Sequence, residues 1–184
     1  MKTRKLLVLF MLALIPVVFI ACDKLNNLTA VNVTYKVPRM PFTFTPSAAL
    51  KSGEIILCTE HVLLNVDSLL NVYLPGGGLD TTSFSTFSIT IESPDTSNFA
   101  WLQSARAVVS QDANFTSFVQ IGTVTNTDPT AKTVILTMNN DNIRPYLGTT
   151  GFYVRVYAVL NGAIPTHWYQ MYIDSQLKMR IKAL

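Results

Sequence analysis

Apolar and polar residues alternate one for one along most of this chain, and that period of two is the feature that most restricts its fold. Successive side chains of an extended strand point to opposite faces, so alternation builds ribbons with one apolar side. Val31, Val33, Tyr35 and Val37 are interleaved with Asn32, Thr34 and Lys36, and Met40, Phe42 and Phe44 with Thr43 and Thr45. Further segments of this kind are Gly53 to Leu64, Phe84 to Glu92, Ala105 to Gln111, Phe118 to Thr125, Thr133 to Met138, Phe152 to Leu160 and Trp168 to Ile181. β-Branched and aromatic residues are frequent in them, as suits a pleated, half-buried surface. Roughly seven to nine strands so spaced predict an all-β fold, an antiparallel immunoglobulin-like β-sandwich.

One to three short helical turns are expected between the strands. Asp67 is placed to cap Ser68 to Tyr73, with Gly76-Gly77-Gly78 ending that element in a loop. Asn98 ahead of Phe99 to Leu102, and Asn140 to Asn142 ahead of Pro145, are similar starts.

The first 22 residues follow another pattern. Lys2, Arg4 and Lys5 precede an apolar run of 15 residues, Leu6 to Ile20, which is broken by Pro16 and closes in Phe19-Ile20-Ala21-Cys22. A bilayer core needs about 20 apolar residues, so a permanent span is the weaker reading. The segment resembles the bacterial lipoprotein signal, although that family most often has Leu where Phe19 stands. The resemblance implies that residues 1–21 form a signal helix removed on export, and that Cys22 then carries a thioether-linked diacylglycerol and an amide-linked acyl chain. An uncleaved anchor is the competing reading. On the lipoprotein reading the protein lies in the bacterial cell envelope, anchored to the membrane through Cys22, with the outer membrane favoured and the leaflet open. Residues 22–29 become a short tether, reaching at most about 26 Å at roughly 3.3 Å per residue, and residues 30–184 a single β-sandwich domain. That layout resembles the small β-sandwich lipoproteins of Bacteroidota-type envelopes, with no motif after Cys22 that names a family.

The charge belongs to the signal. The full chain has 14 basic and 11 acidic residues, and three of the basic ones lie among the first five residues, leaving a neutral remainder. A neutral domain gives no electrostatic reason to expect a nucleic-acid partner. If Cys22 is acylated, Cys58 has no partner, and Ile55-Ile56-Leu57-Cys58 reads as a buried strand holding an inert thiol.

The last two strands carry the candidate binding face. If Asn161 to Thr166 is a hairpin turn, Phe152, Val154, Val156, Ala158 and Leu160 face the core opposite Tyr169, Met171, Ile173, Leu177, Met179 and Ile181. The other side then gathers Tyr153, Arg155, Tyr157, Trp168, Gln170 and Tyr172. One reading is structural: another segment covers the cluster, or Arg155 stacks on Trp168. The other is a platform for sugar rings or for a partner protein. Below it Lys178, Arg180 and Lys182 alternate with apolar residues as a solvated, edge-protecting face.

Catalytic constellations are scarce. His61 and His167 have no ligand-spaced companion, so no metal or other cofactor is expected. There is no Gly-x-Ser-x-Gly elbow, and the triple glycine lacks the Lys and Ser/Thr of a phosphate loop. The expected role is binding or structure in the envelope, not catalysis, with an envelope protein or a glycan as partner. A carbohydrate-binding accessory protein is the alternative, and a hydrolase is a more distant one.

Overall fold

The computed structural model describes residues 30–46, 53–162 and 167–183. The signal segment, Cys22 and the tether lie outside the described residues. Among the described residues there are nine strands: β1 (Ala30–Phe44), β2 (Glu54–Leu63), β3 (Gly77–Ser93), β4 (Leu102–Ser110), β5 (Phe118–Thr125), β6 (Thr133–Ile135), β7 (Thr137–Met138), β8 (Gly151–Leu160) and β9 (Tyr169–Ala183). Helix α1 (Val66–Tyr73) links β2 to β3, and a 3-10 turn (Arg144–Tyr146) precedes β8.

Every recorded strand pairing is antiparallel. One sheet has the order β1-β9-β3-β6 and the other β2-β8-β4-β5-β7. The antiparallel sandwich expected from the alternation is therefore the fold found. Within that class the strand orders are those of a jelly roll: apart from β4–β5 and β7–β8, consecutive strands pass from sheet to sheet, and the two orders interlock as paired Greek keys. Alternation says which side of a strand is buried, and not which strand lies beside it.

The same ambiguity undoes the C-terminal hairpin. β8 pairs with β2 and β4, whereas β9 lies between β1 and β3. The two face each other across the core, where stacked sheets stand about 10 Å apart. Likewise the run Thr133 to Met138 is not one strand. Its first three residues pair with β3, and Thr137 and Met138 pair with β5 in the opposite sheet. Leu136 makes the crossing, 3% exposed and donating its N–H to the Phe87 carbonyl at 2.9 Å.

Two local expectations also change. α1 begins earlier than Asp67 predicts, with Asn65 as the cap: its Oδ1 accepts from the Ser68 N–H at 2.9 Å. Gly77 and Gly78 open β3 instead of forming a loop. A Cβ on Gly77 would come within 2.9 Å of the carbonyl oxygens of Leu74 and Lys182, so only glycine brings α1 this close to β9.

The inner faces supply the core. Phe84 meets Phe87 and Phe152 edge-on, with ring centroids 5.8 and 6.0 Å apart, and fully burying each ring contributes about 1.5–3 kcal/mol. At the upper end, where β3 ends and β9 begins, Trp101 is enclosed by Phe44, Phe99 and Tyr169. At the lower end, where β1 and β3 begin and β9 finishes, α1 and the 3-10 turn close the core. Val66, Leu69 and Leu70 pack inward, Ile143 is fully buried, and its N–H donates to the Thr82 carbonyl. Val72 and Tyr73 remain exposed at the end of α1.

Candidate functional site

Because β8 and β9 belong to different sheets, the six residues expected to share one face do not. Tyr153, Arg155 and Tyr157 lie on the outside of the five-stranded sheet, each half-buried. Gln170 and Tyr172 lie on the outside of the four-stranded sheet, and Trp168 stands exposed at its upper end. Arg155 does not reach Trp168. Its guanidinium carbon sits 3.9 Å above the Phe115 ring, Nε donates to the Thr59 hydroxyl at 2.9 Å, and an Nη donates to the Ala113 carbonyl at 3.2 Å.

Phe115 comes from the β4–β5 loop, which folds back over its own sheet. The loop is knit by Asp112, whose carboxylate accepts from the Thr116 hydroxyl and from the Asn114 and Thr116 N–H groups. Chiefly through the Thr116 hydroxyl, these bonds hold the Asp112 carboxyl below its ordinary range. Phe115 adopts φ +57°, a strained left-handed setting for an aromatic residue. Its ring is 6% exposed, and Val108, on the same side of β4, is fully buried.

Farther up that face lies a cluster of charge and ring. The registers Ile56–Tyr157 and Glu54–Val159 of β2 and β8, with Arg106–Tyr157 of β4 and β8, bring Glu54, Tyr157 and Arg106 onto neighbouring strands. Arg106 forms a two-pronged ion pair with Glu54, Nε to Oε1 at 2.5 Å and Nη2 to Oε2 at 2.6 Å. Its guanidinium lies 4.1 Å from the centre of the Tyr157 ring. The hydrogen bonds lower the carboxyl pKa of Glu54 and raise that of the Arg106 guanidinium, so both groups stay charged. Beside them a cleft of about 160 Å³ is lined by Ser104, Thr123, Thr125, Tyr157 and Val159 among others. Lower on the sheet His61 stacks on Tyr153 with ring centres 4.5 Å apart.

The four-stranded sheet repeats the theme once. Arg39, at the irregularity between Val37 and Met40, lies 3.8 Å above the Tyr172 ring and pairs with Asp174 at 3.2 Å. A second cleft, of about 250 Å³, opens between Val37–Pro41 of β1 and Glu60–Leu63 of β2. Burial raises the Glu60 carboxyl there. Cys58, on the inner side of β2, is buried and its thiol is pushed far up by burial, in agreement with the inert reading. Among the described residues no three His, Cys, Asp or Glu side chains converge on a metal-sized point.

Glu54, Arg106, Thr59, His61, Phe115 and Arg39 are contributors that the alternation did not single out. Alternation alone puts Arg106 outward, whereas Glu54 shares the outer face with Thr59 and His61 only because the register of β2 shifts between Ile56 and Cys58, and Arg39 sits in the shift of β1 between Val37 and Met40. Their neighbours depend on strand order, and the returning loop has no periodic signal.

No family model and no curated protein matches this chain. Among solved structures it is similar to one of Desmodium yellow mottle tymovirus, at 12% identity and a TM-score of 0.30, covering 84% of this chain and 90% of that one. A decameric BFDV capsid protein is similar at 10% identity and a TM-score of 0.36, covering 83% and 99%. A structure of carbohydrate-binding modules of the β-sandwich superfamily is similar at 11% identity and a TM-score of 0.28, covering 78% and 55%. Likenesses of this grade say nothing about what the chain binds.

Proposed function

We propose that this chain is a lipid-anchored protein of the bacterial cell envelope whose β-sandwich binds or scaffolds, and does not catalyse. The observation that carries the binding role is the Glu54–Arg106–Tyr157 cluster. A general acid or base at neutral pH needs a pKa moved toward neutrality, and Glu54 is moved away from it. What remains is a rigid pattern of charge, ring and hydroxyl beside an open cleft, suited to recognising a polar partner surface. A glycan is the narrower alternative, favoured by the hydroxyls of Ser104, Thr123 and Thr125 beside the Tyr157 ring.

A photo-crosslinking residue in place of Thr123, in cells carrying the full chain, tests the reading. A discrete protein adduct that is lost in Arg106→Ala supports partner binding, and adducts to polysaccharide support the glycan form. Indiscriminate labelling, unchanged by Arg106→Ala, would falsify both. The anchor is tested separately, by incorporation of an alkyne-bearing fatty acid that disappears in Cys22→Ser.

A further inference from the structure

We infer that the lower end of the sandwich is a membrane-docking surface that rests on anionic phospholipid headgroups. The inference rests on the anchoring reading and adds which part of the fold meets the bilayer. Ala30 pairs with Lys182, and Lys182 pairs on its other side with Gly78, so the described chain begins in the same row as the last basic residue of β9. Leu74 packs over Gly77 in the adjoining row, which puts the C-terminal end of α1 at the same corner.

Two kinds of side chain meet there. Val72 is 75% exposed on the flank of α1, and Tyr73, at the end of the stripe that Val66, Leu69 and Leu70 begin, is 44% exposed where the helix runs past the core. Along the lower half of β9 the outward positions are Lys178, Arg180 and Lys182, and the acid opposite them on β3 is Asp80, 3.0 Å from the Lys182 ammonium and 3.7 Å from the Arg180 guanidinium. Cations therefore exceed acids along this stretch.

The occupant follows from the chain that precedes Ala30. Its apolar run, Leu6 to Ile20, and Cys22 lie within 24 residues of it, and eight residues from Cys22 to Ala30 span at most about 26 Å. Whatever holds Cys22 at a membrane holds this corner close to it. An exposed valine beside a tyrosine, flanked by lysine and arginine, is the composition that settles at a bilayer interface, with aromatic rings at headgroup depth and cations drawn to anionic lipid. The opposite end, marked by Trp168, is held away by the length of β9, about 46 Å at roughly 3.3 Å per residue.

The test uses the full chain, expressed with its own signal, purified from bacterial membranes and reconstituted into phosphatidylcholine–phosphatidylglycerol vesicles with and without brominated acyl chains. In a Val72→Trp, Trp168→Phe protein, bromine is expected to quench the emission of the exposed indole by about half above the constant background of buried Trp101, while wild-type protein, reporting through Trp101 and Trp168, is unaffected. Val72 is exposed, so the reporter leaves the core intact. Unquenched Val72→Trp in vesicles that carry the protein on flotation would overturn the docking surface and leave the anchor standing. Protein that fails to float overturns both. Equal quenching in pure phosphatidylcholine would overturn the anionic preference, and Lys178→Glu with Lys182→Glu is expected to weaken the quenching as zwitterionic lipid does.

Discussion

Glu54 and Glu60 lie on one strand and respond to pH in opposite senses. The folded pKa of Glu54 is lowered, first by its hydrogen bonds with Arg106. Its contribution is therefore present above the unfolded value, near 4.5, and is lost as pH falls through the folded one. Glu54→Gln is expected to lower stability at pH 7 by about 1 kcal/mol or less, because the pair is partly exposed and screened by solvent. Urea titrations of the two proteins should converge under acid conditions. Glu60 carries the reverse sign. Burial raises its folded pKa, so its cost appears as pH rises through the ordinary carboxylate range. Glu60→Gln should raise the urea midpoint at pH 7, with no gain below the unfolded pKa, where the wild-type carboxyl is also neutral. Glu60 thus fits an inward-facing charge that guards an edge strand against pairing with other chains.

Among the elements, β8 depends most sharply on one residue. Gly151 opens it at φ +137°, and a Cβ there would stand 1.9 Å from the Val62 carbonyl oxygen. Gly151→Ala should cost about 3 kcal/mol or more, the range of steric conflict at a special backbone setting, measured as a loss of thermal midpoint. β5 was legible in extent, since the strand found is Phe118 to Thr125, but the shift at Ile121, where Gly122 and Gln120 face the successive residues Ala107 and Val108, was not. The Thr133 to Met138 segment was not, because Leu136 is apolar in both registers and only the opposite sheet explains the switch. For the site, period two correctly put Tyr153, Arg155 and Tyr157 on one side of β8. Their actual companions, Arg106 and Glu54, lie 51 and 103 residues from Tyr157, and Tyr157 itself gives no local hint of them. Phe115 resembled an ordinary loop residue until the sheet under it was in place.

At the scale of the whole molecule, β9 holds its sheet together. β1 and β3 do not touch as neighbours and are joined through it over nearly its full length. A chain ending before Tyr169 should not fold, with no cooperative urea transition and exposed apolar surface that binds hydrophobic dyes. The intact chain should fold slowly, over milliseconds to seconds or longer, as expected when most pairings join distant segments.

The position of β9 also sets an order of events in the cell. The strand that completes the four-stranded sheet follows the other eight in the chain, so that sheet cannot close before β9 has been made. For a chain read as an exported precursor, this keeps the polypeptide threadable through a narrow conduit until β9 has emerged. Late closure and passage across a membrane are then two results of one strand order.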